Sequence, residues 1–226
     1  MPYAVIFDMD GVLVDSYHAH FESWERGATE IGREMSISQF NRTFGRTSRE
    51  IIAEHWGLSA LTEAEIQKFD ERKESLYREI VAQAFPAMDG ATELIRELHA
   101  AGFQLAIGSS GPPENVEMVL ENLGVKSLIQ AVVTGRDVTH GKPDPQVFLI
   151  AAAKLRTIPG RCAVIEDAPV GIAAANSAGM TSIALLSTGH TADSVAAAKL
   201  TVTSLRELSA KQIAALIDKN HPVAKW

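Results

Sequence analysis

Residues 4–16 read AVIFDMDGVLVDS. Ala4 to Phe7 are apolar, β-branched or aromatic, the composition of a short strand buried on both faces. Asp8 ends the run, so the strand delivers a carboxylate at its C-terminal end. Asp10 follows at i+2, and Gly11 breaks the chain direction. Two like charges so close repel and raise a pKa unless something positive sits between them. An Asp- and Gly-rich turn accounts for the residue types, but not for their place at the end of a buried strand.

Other runs of the same kind lie further along: 103–107 (FQLAI) before GSSGPP, 131–133 (AVV) before TGRD, 162–165 (CAVI) before Glu166-Asp167, and 182–186 (SIALL) before STG. Between them are amphipathic segments of helix length. These are 90–101, stopped by Gly102; 114–123, stopped by Gly124; 145–154, with Pro145 at a first-turn position; and 171–178, stopped by Gly179. From residue 86 onward helix and strand alternate, which calls for a parallel sheet with helices on both faces. The run 205–217 reads as an amphipathic closing helix without a chemical signal.

Residues 16–84 differ, because they contain no strand pattern. Phe21, Trp24 and Ala28, then Ile66, Phe69, Leu76 and Ile80, recur at helical spacing. Three or four helices are expected, with breaks near Gly32, Gly45 and Gly57. The expected architecture is therefore a Rossmann-like, doubly wound α/β core made of 1–15 and 85–226, carrying an all-α insertion at 16–84. Ligands of open α/β sheets bind at the strands' C-terminal ends. An insertion leaving the first strand at that end is a candidate lid.

Composition narrows the function. Of 226 residues, 46% are hydrophobic and 22% charged, which is ordinary globular usage. Lys plus Arg is 21 and Asp plus Glu is 28, a formal charge of −7 that argues against general nucleic-acid or anionic-membrane binding. Cys162 is the single cysteine, so neither an internal disulfide nor a Cys-based zinc site is expected. No run approaches the ~18 apolar residues of a membrane span. The N-terminal run has no basic region and is interrupted by Asp8 and Asp10, unlike a signal peptide. A cytoplasmic location is the expectation.

Four strand-end signals carry the chemistry. Asp8 and Asp10 are the first. Glu166-Asp167 is the second, and it brings the acids at this sheet edge to four. Such a density asks for a divalent cation, and oxygen ligands without His or Cys suit Mg²⁺ rather than zinc. By itself the Glu-Asp pair also reads as a cap and first-turn acid for the following helix. Ser109-Ser110 is the third, with hydroxyls and backbone N–H groups able to hold phosphate oxygens. Without the others it is a turn before a helix. Lys142, stiffened in Gly141-Lys142-Pro143-Asp144-Pro145, is the fourth. In isolation it is a solvated lysine. Beside carboxylates and a phosphate it neutralises charge.

These signals, in this order, resemble the haloacid dehalogenase superfamily over nearly the whole chain. Residues 7–16, FDMDGVLVDS, are similar to its first motif without departure. Ser109 resembles the second, Lys142 the third, and Glu166-Asp167 with Gly171 the acidic fourth. The helical insertion resembles the small α-helical cap. The resemblance implies Asp8 as nucleophile and Asp10 as acid and base. It implies Mg²⁺ held by Asp8, the Asp10 carbonyl and Asp167 with Glu166 close by, and a phosphoryl group gripped by Gly11, Ser109, Ser110 and Lys142. The second Asp argues against dehalogenases and phosphonatases. Response-regulator receiver domains combine similar residues, but they carry the acceptor on a later strand and lack the insertion.

A phosphatase of a small phosphorylated metabolite is the implied activity, with beta-phosphoglucomutase as the alternative. His20, Trp24, Arg49 and Lys73 resemble the mutase cap, and Arg46 adds a cation to the same stretch. The alternative reading makes Trp24 core, which its residue type favours, and Arg49 and Lys73 solvated. Against the mutase, 109–113 is SSGPP where mutases resemble Ser-x-Ser-Lys-Asn, so the lysine is absent. A monomer is expected.

Overall fold

The computed structural model describes residues 2–44, 48–57, 61–187 and 189–221. In chain order the elements are β1 (Ala4–Phe7), α1 (Tyr17–Glu30), α2 (Ile37–Thr43), α3 (Ser48–Trp56), α4 (Glu63–Gln83), α5 (Ala91–Ala100), β2 (Gln104–Gly108), α6 (Pro113–Leu123), β3 (Ala131–Val133), α7 (Gln146–Lys154), β4 (Cys162–Glu166), α8 (Pro169–Ser177), β5 (Thr181–Leu185), β6 (Leu200–Val202) and α9 (Ala210–Asn220).

The strands form one sheet in the order β3-β2-β1-β4-β5-β6, and every pairing is parallel. This is the doubly wound, Rossmann-like order, in which the strand sequence reverses between β1 and β4. Register decides what happens at that crevice. Phe7 lies opposite Ile165 on one side and Ile107 on the other. The Asp8 N–H donates to the Ile165 carbonyl at 2.9 Å. Asp8 and Glu166 therefore leave the sheet side by side. Helices α7 and α8 pack on one face, where Phe148, Ala151, Ala174 and Ala175 meet Ala4, Ile6 and Val164. Helices α5 and α9 contact each other and the sheet. Among the described residues no helix is long and apolar enough to cross a membrane.

The chain divides into two compact units, 1–15 with 87–226, and 16–86. The return point lies two residues later than the sequence places it, because Pro86 stays with the helices. Val14 and Ala87 form an antiparallel bridge, so the insertion leaves and rejoins the core at adjacent points.

The helical unit has its own core of Tyr17, Trp24, Ala28, Phe40, Ile51, Ile52 and Phe69. Gly32 and Gly57 take left-handed φ values of 69° and 87° at the breaks the sequence marks, and Gly45 lies outside the described residues. On α4 the buried face runs through Phe69, Lys73, Leu76 and Tyr77, while Ile80 is only half-buried. A lysine thus occupies an apolar stripe.

Other boundaries shift for local reasons. Strand β6 is too short to be announced: its apolar-polar-apolar alternation, Leu200-Thr201-Val202, spans only three residues, running from half-buried through exposed to buried. The segment 205–217 splits into a 3-10 turn at Leu205–Glu207 and α9, because Ser209 caps the helix by accepting the Gln212 N–H at 3.3 Å. Pro145 is the residue before α7 rather than inside its first turn.

Candidate active site

The C-terminal ends of β1 and β4 and the segment between β3 and α7 bring three acids and one ammonium together. Lys142 Nζ donates to Asp8 Oδ1 and to Glu166 Oε1, each at 2.6 Å. The Lys142 side chain is 7% exposed, and Asp8 and Glu166 are buried. Lys142 is therefore a positive group between Asp8 and Glu166, and the solvated alternative for it is overturned. The other oxygen of Glu166 accepts the N–H groups of Asp167 and Ala168 at 2.9 and 2.8 Å. Ala168 is the residue that caps α8. Glu166 thus faces the acid cluster and braces the turn before α8, but the cap reading is overturned: the cap position is Ala168, and no acid lies in the first turn of the helix.

Asp167 is buried beside them. Its Oδ2 accepts the Ser187 hydroxyl at 2.7 Å. Ser187 was not among the residues the sequence singles out. Its only signal is its place in STG just after a strand, in a chain whose other strand ends carry the chemistry.

Two glycines make the crowding possible. Gly11 has φ +73° and lies so close to Asp167 that a Cβ there would overlap the carboxylate. A Cβ at Gly171 would overlap the folded-back Glu166 carboxylate. Gly11→Ala combines backbone strain with this overlap. We expect it to lower stability to urea by roughly 1–3 kcal/mol or more. An unchanged urea midpoint would show that the loop has room the geometry denies.

Burial sets the electrostatics. Desolvation, reinforced by Glu166 and Asp10, raises the Asp8 carboxyl to about 7 in spite of Lys142. Asp167 is likewise raised, by burial and then by Glu166 and Asp8, with the Ser187 hydrogen bond acting the other way. Burial by itself would lower Lys142, but the charges of Asp8 and Glu166 outweigh it and hold the ammonium above the ordinary lysine range.

One ligand atom each from Asp8, Glu166 and Asp167 lies within 4.8 Å of the others. All are hard oxygens, and all are buried. That donor set fits a divalent cation such as Mg²⁺, which prefers carboxylate oxygen, and does not suit a soft metal.

Beyond β2, Ser109 is buried and Ser110 is exposed. The Gly111 N–H donates to Ser109 Oγ at 3.0 Å, and the Ser109 N–H donates to the Val133 carbonyl at 3.0 Å. A Cβ built at Gly111 would lie 3.3 Å from Ser109 Oγ and 3.8 Å from Asp10 Oδ2. The half-buried Asp10 and the Ser109 hydroxyl therefore converge on one turn. Pro112 precedes α6 and Pro113 opens it, so no lysine stands there.

The sequence-predicted residues of the insertion belong to the separate helical unit. His20 stacks on Tyr77, with ring centroids 4.2 Å apart and an interplanar angle of 9°. Trp24 is core, as its alternative reading has it. Arg49 is exposed and paired with Glu63. Lys73 is not solvated: it is 5% exposed, pairs with Glu74 and lies 5.7 Å from the Trp24 ring centroid. Ammonium and carboxylate are desolvated together there, which a lone lysine could not sustain. Arg46 lies outside the described residues.

Comparison with known proteins gives a consistent family. The profile of a hydrolase family, described as haloacid dehalogenase-like hydrolase, matches residues 3–179. A validoxylamine A 7'-phosphate phosphatase from Streptomyces hygroscopicus subsp. limoneus is 33% identical over 210 residues, 90% of this chain and 94% of that protein. A beta-phosphoglucomutase from Bacillus subtilis is 33% identical over 183 residues, 78% of this chain and 80% of that one. A crystal structure of a beta-phosphoglucomutase from Clostridium difficile superposes with a TM-score of 0.86 at 25% identity, covering 97% of this chain and 98% of that chain.

Proposed function

The chain belongs to the haloacid dehalogenase-like hydrolases, and from that premise we propose that it is a Mg²⁺-dependent phosphatase of a small phosphorylated metabolite, a sugar phosphate or a close analogue. The observation that carries the reading is the buried set of Asp8, Lys142, Glu166 and Asp167 at the sheet's switch point, with Asp10 and Ser109 on the adjoining loops.

Asp8 is the nucleophile. One of its carboxylate oxygens attacks phosphorus, the bond from phosphorus to the ester oxygen breaks, and an aspartyl-phosphate results. Asp10 gives its proton to the departing oxygen. It then takes a proton from water as that water attacks phosphorus, which restores Asp8 and releases inorganic phosphate. Lys142 offsets the repulsion between Asp8 and an anionic substrate, and the Ser109 hydroxyl and nearby backbone N–H groups bind phosphoryl oxygens. Asp8, Asp167 and the Asp10 carbonyl would hold Mg²⁺, while Glu166 keeps Lys142 and the start of α8 in place. When bound, the cation supplies charge neutralisation at the nucleophile and the phosphoryl oxygens.

A second reading, a beta-phosphoglucomutase, has support from the likeness to two proteins of that name. Two observations weigh against it. The turn after β2 carries prolines where the mutase pattern has a lysine. The cations Arg49 and Lys73 are already paired with Glu63 and Glu74. The deciding assay supplies β-glucose 1-phosphate with a trace of the bisphosphate. Free phosphate as product is expected. Glucose 6-phosphate as the main product would replace the hydrolase reading with the mutase.

A further inference from the structure

Asp167 needs a defined side-chain orientation to join Asp8 and Glu166, yet both neighbours repel it. Its backbone is fixed by the N–H donated to Glu166 Oε2. Its side chain has a separate restraint. Oδ2 accepts the Ser187 hydroxyl at 2.7 Å and lies against Gly11, and Ser187 Oγ would itself be 3.0 Å from a Cβ at Gly11. We infer that Ser187 is a positioning residue whose hydroxyl pins Asp167 against Gly11 and so fixes the carboxylate orientation that joins Asp8 as a cation ligand. The inference rests on the Mg²⁺-dependent reading of the site.

The fold places Ser187 for this task. Strand β5 pairs with β4, with Glu166 opposite Ala184. Two residues past the end of β5, Ser187 thus comes up beside the residue that follows β4. The residue before it is anchored, because the Leu186 N–H donates to the Val202 carbonyl at 2.9 Å. The short strand β6 therefore has a function at the site: it holds the segment that carries the hydroxyl. Without that hydroxyl, repulsion from Asp8 and Glu166, offset in part by the charge of Lys142, acts on a carboxylate that has lost its bond to Ser187. Outer groups that orient metal ligands commonly contribute about 10–100-fold in affinity.

The test measures cation binding directly, by electron paramagnetic resonance titration with Mn²⁺, which shares the oxygen preference of Mg²⁺. Ser187→Ala is expected to weaken Mn²⁺ binding about tenfold, and Ser187→Thr to stay within about twofold of the unaltered chain. In parallel, the Mg²⁺ concentration giving half-maximal hydrolysis of p-nitrophenyl phosphate should rise in the Ala variant by a similar factor, with a smaller change in the saturated rate. Equal Mn²⁺ affinity in Ser187→Ala overturns the inference. So does an equal loss in both variants, because the hydroxyl would then not be the cause. If the unaltered chain binds no Mn²⁺, the reading of the site itself falls, which separates the two failures.

Discussion

Asp8→Asn is expected to reduce hydrolysis of p-nitrophenyl phosphate by at least about 10³-fold while the protein stays folded. The amide has the shape of the carboxylate and can still accept from Lys142, so the packing around it is kept. It has no anionic oxygen to attack phosphorus, so the covalent step is lost. The direction of the stability change is also set. Burial and the neighbouring acids raise the Asp8 carboxyl to about 7, which means that its charged form is costly in the folded chain. An unfolded aspartate ionises near its ordinary value. The native charge therefore lowers stability progressively as pH rises from that value towards 7, and the cost persists above it. Replacing it with a neutral amide should leave the melting temperature at pH 8 unchanged or higher. Wild-type rates in this variant would remove Asp8 as nucleophile, and with it the proposed mechanism.

Lys142→Ala is expected to have the largest combined effect. The ammonium lies between Asp8 and Glu166 at 2.6 Å from each, with little contact with solvent. Its removal leaves two buried carboxylates facing each other without a countercharge. Breaking a buried pair from one side costs about 3–5 kcal/mol. In urea denaturation without added metal the variant should lose stability of that order, and Mg²⁺ should restore part of it. The rate should fall at least about 10²-fold even with saturating Mg²⁺, because substrate anion and nucleophile then repel without an intervening ammonium. A variant with near-wild-type stability and rate would show that Lys142 does not bridge the acids in solution. The two variants separate the roles, since Asp8→Asn removes the attack and leaves the charge balance easier, whereas Lys142→Ala keeps the attacking group and removes its balance.

Much of this was legible along the chain. The strand β1 is obvious from four apolar residues, and the Asp-Met-Asp-Gly that follows announces chemistry, because nothing in a buried strand's packing asks for two carboxylates at its end. The helix and strand alternation after residue 86 follows from local periodicity, which neighbours in sequence fix. Contacts between distant segments were not legible. The carboxylate and ammonium that meet at Asp8 and Lys142 are 134 positions apart. The motif order already assembled Lys142 with these acids, but did not show that its ammonium would lie between Asp8 and Glu166 and bond to both. Lys73 shows the same limit in reverse, since a charged residue in an exposed-looking helix proves buried because Glu74 and Trp24 are there to receive it.

The sequence by itself determined most of the elements, the short β6 excepted, and which strand ends carry reactive groups, since strand burial, helix periodicity and glycine stops are properties of neighbouring residues. The tertiary structure alone decided that Phe7 stands opposite Ile165, that Lys142 lies between Asp8 and Glu166, and that Ser187 holds Asp167. The reason is register: which side chains meet depends on how parallel strands align, and that alignment is set by packing over the whole sheet rather than by any one segment.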